Sequence, residues 1–165
     1  MPIDPDELRR ATAEFPTGVA VVTLHDEGDD IGLTSTSLRS VSLDPPLVLV
    51  TVLHTSYIDE LFTRCPTWAV SALAGHQTAI GGRFAAAGRP SARLLLSGLA
   101  HHRGDVSGAL VVDDGTLALE CRTESQFAAG DHRVVVGRVM RVDYTSARPP
   151  LLRHRGGYRV ATPPS

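Results

Sequence analysis

The feature that most constrains this fold is a succession of short β-forming runs, separated by turns of small and acidic residues. We predict strands near residues 19–24, 31–34, 47–53, 67–73, 109–112, 116–127 and 133–144. The turns at 26–30, 113–115 and 129–131 are rich in Asp and Gly. Many short strands joined in this way favour a mainly β fold with a few short helices, built as a small closed or partly closed barrel.

Three short helices should accompany the strands. Asp4 caps the first, which is expected to run to about residue 15. The second is predicted over residues 56–64, where Ser56 and Asp59 match a capping box. The third covers residues 76–86 despite two adjacent glycines. These assignments divide the chain into an N-terminal helix that packs on the barrel (1–14), one barrel domain (15–160) and a flexible tail (161–165).

Composition excludes several classes of function. The net charge is −2 and all sixteen basic residues are Arg, which leaves no electrostatic footprint for nucleic acid and no lysine for Schiff-base chemistry. Two cysteines without a Cys-x-x-Cys spacing make neither a disulfide scaffold nor a redox motif. The chain lacks a signal peptide and a membrane-length apolar run, so a soluble, cytoplasmic protein is expected.

Familiar catalytic and metal-binding motifs are missing from the sequence. It contains no Gly-x-Gly-x-x-Gly for a Rossmann nucleotide site and no Gly-x-Ser-x-Gly for a hydrolase nucleophile. The adjacent pair His101 and His102 would point to opposite faces of a strand, so no metal site is expected.

Residues 31–53 contain the most informative segment for function. Six hydroxyls lie there between two apolar runs, at Thr34, Ser35, Thr36, Ser37, Ser40 and Ser42. A loop of small donors held between strands can bind a polar, planar ligand, although such hydroxyls also satisfy local backbone groups in ordinary connectors. The run at 47–53 then predicts a fully buried strand.

A second candidate is the turn Gly130-Asp131-His132, which places an imidazole at the start of the long strand 133–144. An exposed turn histidine is one interpretation. The other is an imidazole at the mouth of a site, positioned to hydrogen-bond an incoming ligand.

Six windows, taken in order, resemble one known family. They are 15–23 (FPTGVAVVT), 32–38 (GLTSTSL), 40–48 (SVSLDPPLV), 83–85 (RFA), 130–139 (GDHRVVVGRV) and the closing segments 150–152 and 157–159. Together they resemble the flavin reductases with the FMN-binding split-barrel fold, the reductase components of two-component flavin monooxygenases. The sequence departs from the family at Thr36, where Asn is common, and at Leu38, where an aromatic residue is common.

The resemblance implies a small Greek-key split β-barrel and an NAD(P)H-dependent flavin reductase. Such an enzyme transfers hydride from NADH or NADPH to FMN or FAD and supplies reduced flavin to a partner monooxygenase. It also implies a homodimer. The alternative is a non-reductase split-barrel flavoprotein, either an oxidase or a flavin- or haem-binding module, with a fixed or absent cofactor.

The resemblance also assigns roles to individual residues. Thr34, Ser35, Thr36 and Ser37 would contact the flavin ring edge, Thr51, Val52 and Leu53 the ribityl chain, and Ser56 the phosphate, with Arg83 as counter-charge and Phe84 lining the pocket. On the nicotinamide side it implies Asp131, His132 and Tyr158. His132 is the expected catalytic-site residue and would dock the nicotinamide rather than transfer a proton.

Overall fold

The computed structural model describes residues 1–162, and strands dominate its backbone. In chain order the strands are β1 (Thr17–Gly18), β2 (Ala20–Asp26), β3 (Asp29–Ser35), β4 (Arg39–Leu43), β5 (Pro46–Leu53), β6 (Thr67–Ala72), β7 (His101–Arg103), β8 (Leu110–Val112), β9 (Leu117–Ala129), β10 (His132–Thr145), β11 (Leu151–His154) and β12 (Gly157–Val160). The helical segments are α1 (Pro5–Ala13), α2 (Tyr57–Leu61), a 3-10 turn (Gly75–Gln77), α3 (Thr78–Ala85) and α4 (Ala92–Leu95). No helix in this part of the chain is long and apolar enough to cross a membrane.

Seven strands form the main antiparallel sheet, in the order β3-β2-β6-β9-β10-β5-β4, beside the small sheets β1-β11-β12 and β7-β8. Val22 on β2 and Val50 on β5 share one buried cluster although their strands lie toward opposite ends of this order, so the sheet bends round on itself. Its edge strands β3 and β4 are not paired with each other. The predicted mainly β fold is confirmed, and the barrel is of the partly closed kind.

The long hairpin of β9 and β10 runs through the middle of the sheet. Its register shifts between Val136 and Gly137. Gly137 is required there, because any side chain would collide with the fully buried ring of Trp68. At the tip of the hairpin, His132 is paired with Leu53 on β5. The tip therefore lies beside the end of β5.

Two expectations for residues 31–53 are wrong. Strand β5 is not fully buried, since it alternates between buried valines and partly exposed side chains, and only one of its faces packs on the core. The hydroxyl-rich segment is also not one long loop, because β3 continues to Ser35 and β4 begins at Arg39. Ser40 and Ser42 therefore lie on an edge strand.

Helix α1 begins as predicted, with the Asp4 carboxylate accepting a hydrogen bond from the amide of Asp6 at 2.8 Å. The prediction of a capping box at α2 is wrong, because the Ser56 side chain makes no capping hydrogen bond. Asp59 instead accepts a hydrogen bond from Arg133 on β10 at 2.5 Å. The third predicted helix is composite, since the 3-10 turn precedes α3.

None of the side chains of α1 is buried. The end of the helix is held by Arg155, whose amide donates to the carbonyl of Ala13 at 2.9 Å and whose guanidinium pairs with Glu14 at 2.7 Å. The division into a packed helix (1–14) and one domain (15–160) stays a prediction. Of the expected flexible tail, residues 163–165 lie outside the described part of the chain.

Asp30 on β3 is a fully buried carboxylate that joins several elements. It accepts hydrogen bonds from Arg103 on β7 at 2.9 Å, Arg93 on α4 at 3.0 Å and His25 on β2 at 2.9 Å. Burial alone would raise the pKa of Asp30, but these bonds outweigh burial and lower the pKa to about 2. The carboxylate therefore fixes the β2–β3 hairpin to α4 and β7.

Candidate active site

A cleft of about 390 Å³ opens where the ends of β3 and β5 meet α3, the start of β10 and β12. Its volume falls in the range of ~300–1,000 Å³ that is typical of small-molecule sites. The lining residues are Leu33, Thr34, Ser35, Thr36, Ser37, Thr51, Val52, Leu53, Ser56, Phe84, Ala85, Arg89, His132, Arg153 and Tyr158. Of the site residues predicted from the sequence, Arg83 and Asp131 are outside this lining, and all the others belong to it.

Three hydroxyls of the cleft are already bound to protein atoms. Thr34 donates to the carbonyl of Gly81 on α3 at 2.6 Å, and the hydroxyls of Ser35 and Ser37 are 2.9 Å apart. Ser37 also accepts a hydrogen bond from the amide of Thr51 at 2.8 Å, which ties the turn after β3 to β5. These three side chains shape the cleft, because their hydrogen bonds are used within the chain.

Thr36 differs from its neighbours. Within residues 1–162 its hydroxyl has no hydrogen-bond partner, so it is the member of this turn that can bind a ligand through its side chain. The cleft beside it is partly apolar. Phe84 is fully buried, and a Cβ at Gly32 would lie 2.6 Å from its ring, so glycine is needed for the ring to pack there.

One end of the cleft carries a hydroxyl and a cation. Ser56 precedes α2 and its hydroxyl makes no capping bond. Arg89 follows α3 and is anchored by its own hydrogen bonds, from Nε to the carbonyl of Gly32 at 2.6 Å and from Nη1 to the carbonyl of Ala86 at 3.4 Å. Burial lowers the pKa of Arg89, but a guanidinium stays protonated at neutral pH. This end suits an anionic group.

Arg83, the predicted counter-charge, points elsewhere. Its Nη1 donates to the carbonyl of Leu95, at the end of α4, at 3.1 Å. The guanidinium is thereby used to join α3 to α4, and in the structure Arg89 is the cation beside Ser56.

His132 lies on the cleft wall at the tip of the β9–β10 hairpin. Its Nδ1 is 2.6 Å from a carboxylate oxygen of Asp131, and this hydrogen bond lowers the pKa of Asp131. Because a carboxylate can only accept, Nδ1 carries the proton and Nε2 remains an acceptor when the imidazole is neutral. The amide of His54 donates to the carbonyl of Asp131 at 3.0 Å, which holds the tip against the end of β5.

Tyr158 and Arg153 form the wall contributed by β11 and β12. The Arg153 guanidinium lies 5.0 Å from the centre of the Tyr158 ring, a cation–π contact. Beyond Arg153 the cleft adjoins a second groove of about 530 Å³, which also shares Thr36 with it. Arg9, Arg153, His154 and Arg155 line this basic groove. Arg9 is paired with Asp6 and Arg155 with Glu14, so within residues 1–162 Arg153 is the groove's arginine without a carboxylate partner.

Sequence reasoning missed four lining residues, Leu33, Ala85, Arg89 and Arg153. The two arginines are the important omissions, since each brings a cation to the cleft. Arg89 stands in a Gly-Arg-Pro turn beyond the third predicted helix, and Arg153 stands on a short strand near the C-terminus. Both approach the cleft through tertiary packing, for which the local pattern carries no signal.

A family profile matches nearly the whole chain. The profile described as flavin reductase like domain matches residues 12–162. This range contains every residue that lines the cleft.

Curated relatives and solved structures agree with the family match. The chain is 38% identical to NADH-dependent FMN reductase AsuE2 of Streptomyces nodosus subsp. asukaensis, over 96% of this chain and 85% of that protein. It is 35% identical to the reductase component of 4-hydroxyphenylacetate 3-monooxygenase of Thermus thermophilus, over 97% and 99% of the two chains. The crystal structure of BorF, the flavin reductase component of a bacterial two-component tryptophan halogenase, superimposes with a TM-score of 0.89 at 31% identity, covering 95% of this chain and 98% of that one.

Proposed function

Because the chain belongs to the flavin reductase-like domain family, we propose that its cleft binds flavin and NADH side by side for hydride transfer. The protein is an NADH-dependent flavin oxidoreductase, as several of its curated relatives are named. The observation that carries the assignment to the cleft is that one cavity joins the Thr36 turn, the Ser56–Arg89 end and His132.

The residues of the cleft fit a flavin in their chemistry. A flavin has a flat ring with apolar faces and one polar edge, and a chain that ends in phosphate. The cleft offers the partly exposed Leu33 and Leu53 as apolar surface, the hydroxyl of Thr36 as a donor, and Ser56 with Arg89 for the anion. Phosphate contacts of this kind suit arginine, because its planar guanidinium donates several hydrogen bonds in a fixed geometry.

When bound, the flavin accepts hydride from the nicotinamide, so the redox chemistry belongs to the two small molecules. The protein binds them, orients them and provides donors where negative charge develops on the flavin ring. The Thr36 hydroxyl and the backbone amides of Thr36 and Leu38 would fill that role, whereas the Ser37 amide donates to the Ser35 hydroxyl at 3.2 Å. No acid or base of the chain has to exchange a proton for the transfer itself.

The nicotinamide side is formed by His132, Asp131 and Tyr158. Asp131 fixes the His132 ring by its 2.6 Å hydrogen bond, which leaves Nε2 for an amide donor of the ligand. Asp131 acts through His132, since it does not line the cleft. The basic groove beyond Arg153 suits the diphosphate of the NADH molecule.

We also propose that the protein works as a homodimer and hands reduced flavin to a separate monooxygenase. Apolar side chains are exposed on β4, β9 and β10, at Val41, Leu43, Phe127, Met140 and Val142. Such a surface suits a subunit interface. A cytoplasmic location fits the use of NADH and the two free cysteines.

A direct test follows the absorbance of NADH with the purified protein, with and without added FMN or FAD. We expect oxidation of NADH to depend on added flavin. A protein that stays yellow after desalting and oxidises no NADH would instead be a flavoprotein with a fixed cofactor. Absence of flavin binding would overturn both assignments.

A further inference from the structure

The cleft does not end at Ser56 and Arg89. These two residues also line a third groove of about 410 Å³, which continues on the far side between the start of β3, the turn before α2 and residues 88–91. The wall that suits the flavin phosphate is thus shared by two spaces. FMN would end at this wall and leave the third groove empty of ligand.

Arg89 is built to serve both spaces. Its Nε and Nη1 are fixed on the carbonyls of Gly32 and Ala86, and within residues 1–162 its Nη2 has no partner. A cation held on the common wall can bind two phosphates in succession. A diphosphate that passes from the cleft into the third groove therefore matches the position of this charge.

The far part of the groove suits a nucleoside rather than a further anion. Tyr57 contributes an aromatic ring that is 56% exposed, and Thr55 and Ser91 contribute hydroxyls. Asp29 adds a carboxylate that can accept hydrogen bonds from ribose hydroxyls or an amino group but repels phosphate. Charge thus changes from positive at Arg89 to negative at Asp29 along the groove.

We propose that this third groove binds the AMP half of FAD, and that FAD is therefore the preferred flavin of this protein. The proposal rests on the proposed function, because it takes the flavin phosphate to lie between Ser56 and Arg89. It goes beyond that function by choosing between the two flavins. We call this space the adenylate groove.

The test measures FAD and FMN in parallel, by KM in NADH oxidation and by Kd from flavin fluorescence. The wild-type protein should bind FAD about tenfold more tightly than FMN, an amount typical of one stacked base. Tyr57→Ala should raise both constants for FAD by about tenfold and leave those for FMN unchanged. Tyr57→Phe is the matched control: it keeps the ring, loses only the 3.5 Å hydrogen bond with Arg64, and should behave like the wild type.

A second variant guards against a local folding defect at α2. Ser91→Trp fills the adenylate groove from the turn before α4. It should weaken the binding of FAD, while the KM and Kd for FMN stay at their wild-type values. Equal affinity of the wild type for both flavins, or an equal loss of both in Tyr57→Ala and Ser91→Trp, would overturn the proposal. If NADH were oxidised with neither FMN nor FAD, the proposed function would be overturned instead. The Kd values for the two flavins would still decide which flavin the protein prefers.

Discussion

Arg89 illustrates how one side chain can belong to the framework and also serve as a proposed ligand contact. Two of its nitrogens are used on backbone carbonyls at 2.6 and 3.4 Å, which fixes where its charge stands. The Arg89 side chain therefore loses its conformational entropy on folding, and it has little left to lose when a phosphate binds. A lysine at this position would carry the charge without the fixed geometry.

Replacement of Arg89 should reduce flavin affinity. We expect Arg89→Gln to raise the flavin Kd by about ten- to a hundredfold, because a charge-assisted hydrogen bond contributes about 1.5–3 kcal/mol. Arg89→Lys should recover only part of the loss. Fluorescence titration gives the Kd, and Arg83→Gln is the control, since Arg83 binds the carbonyl of Leu95 outside the cleft. A larger loss of affinity in the Arg83 variant would contradict the choice of cation.

His132 should act on NADH and not on flavin. We expect His132→Ala to raise the KM for NADH by about tenfold and to slow flavin reduction, as loss of one hydrogen bond of about 1.4 kcal/mol would do. The flavin Kd should stay near the wild-type value. Steady-state and rapid-mixing kinetics measure these effects, and wild-type NADH kinetics in the variant would exclude this role.

Asp131 provides a finer test of the same turn. Asp131→Asn keeps the size of the side chain but can present its amide nitrogen to His132, which changes the tautomer that is favoured. The variant should therefore resemble His132→Ala in KM for NADH, to a smaller degree.

At the scale of elements, a set of hydrogen bonds around Asp59 links α2, the end of β5 and β10, and we call this set the joint. Asp59 on α2 accepts hydrogen bonds from Arg133 at 2.5 Å and from His54 at 3.3 Å. The Arg133 guanidinium, more than any other group, lowers the pKa of Asp59, so this carboxylate stays ionised near neutral pH. The joint holds the Ser56 turn beside the hairpin tip that carries His132.

Loss of this joint should cost stability and loosen both binding sites. We expect Asp59→Ala to lower the free energy of unfolding by about 1–3 kcal/mol, because Arg133 keeps a partly buried charge without its partner. The KM for NADH and the KM for flavin should rise together. Chemical denaturation measures the stability. Glu124→Ala is the matched control, since its pair with Arg138 is exposed and its loss should change little.

The same elements explain how far sequence reasoning reached. Alternation of apolar residues and Asp- and Gly-rich turns predicted seven of the twelve strands in residues 1–162, because those signals are local. The patterns did not predict the short strands β1, β4, β7, β11 and β12. The role of Asp59 was missed because its partner Arg133 is 74 positions away. It was also not predicted that one face of β5 packs on the core while the other is partly exposed, since an apolar run does not reveal which face meets a cleft. Within the site, Thr36 and Ser56 followed from the resemblance, whereas Arg89 and Arg153 did not.

At the scale of the whole molecule, Asp30 links stability to pH. Its pKa is about 2 in the folded chain and about 3.8 when unpaired, so the folded state binds the proton more weakly. The stabilisation is complete above about pH 4 and is lost as pH falls toward 2. A difference of this size corresponds to about 2 kcal/mol.

We therefore expect wild-type protein to lose about 2 kcal/mol of unfolding free energy between pH 4 and pH 2 through this group. Asp30→Asn should be less stable at pH 7, because Arg103 and Arg93 lose their carboxylate, and should depend less on pH across that window. Urea denaturation at a series of pH values measures both. Parallel curves for the two proteins would contradict the assignment.

The proposed dimer can be tested through the apolar face of β10. We expect the wild type to have twice the monomer mass of 17.6 kDa in light scattering. Val142→Arg should shift it toward the monomer, because a charge cannot be buried unpaired in such an interface. Arg148→Ala, on the exposed turn after β10, should leave the mass unchanged. A monomeric wild-type protein would refute the dimer.

The unpaired edges of the main sheet have a consequence for how flavin enters and leaves the protein. Strand β3 and the end of β5 line the cleft without being neighbours in the sheet, so the cleft lies in the seam that the sheet leaves open. A flavin can enter and depart through that seam without breaking any hydrogen bond between strands. In the proposed cycle, one protein molecule can therefore bind an oxidised flavin, release the reduced flavin and bind again.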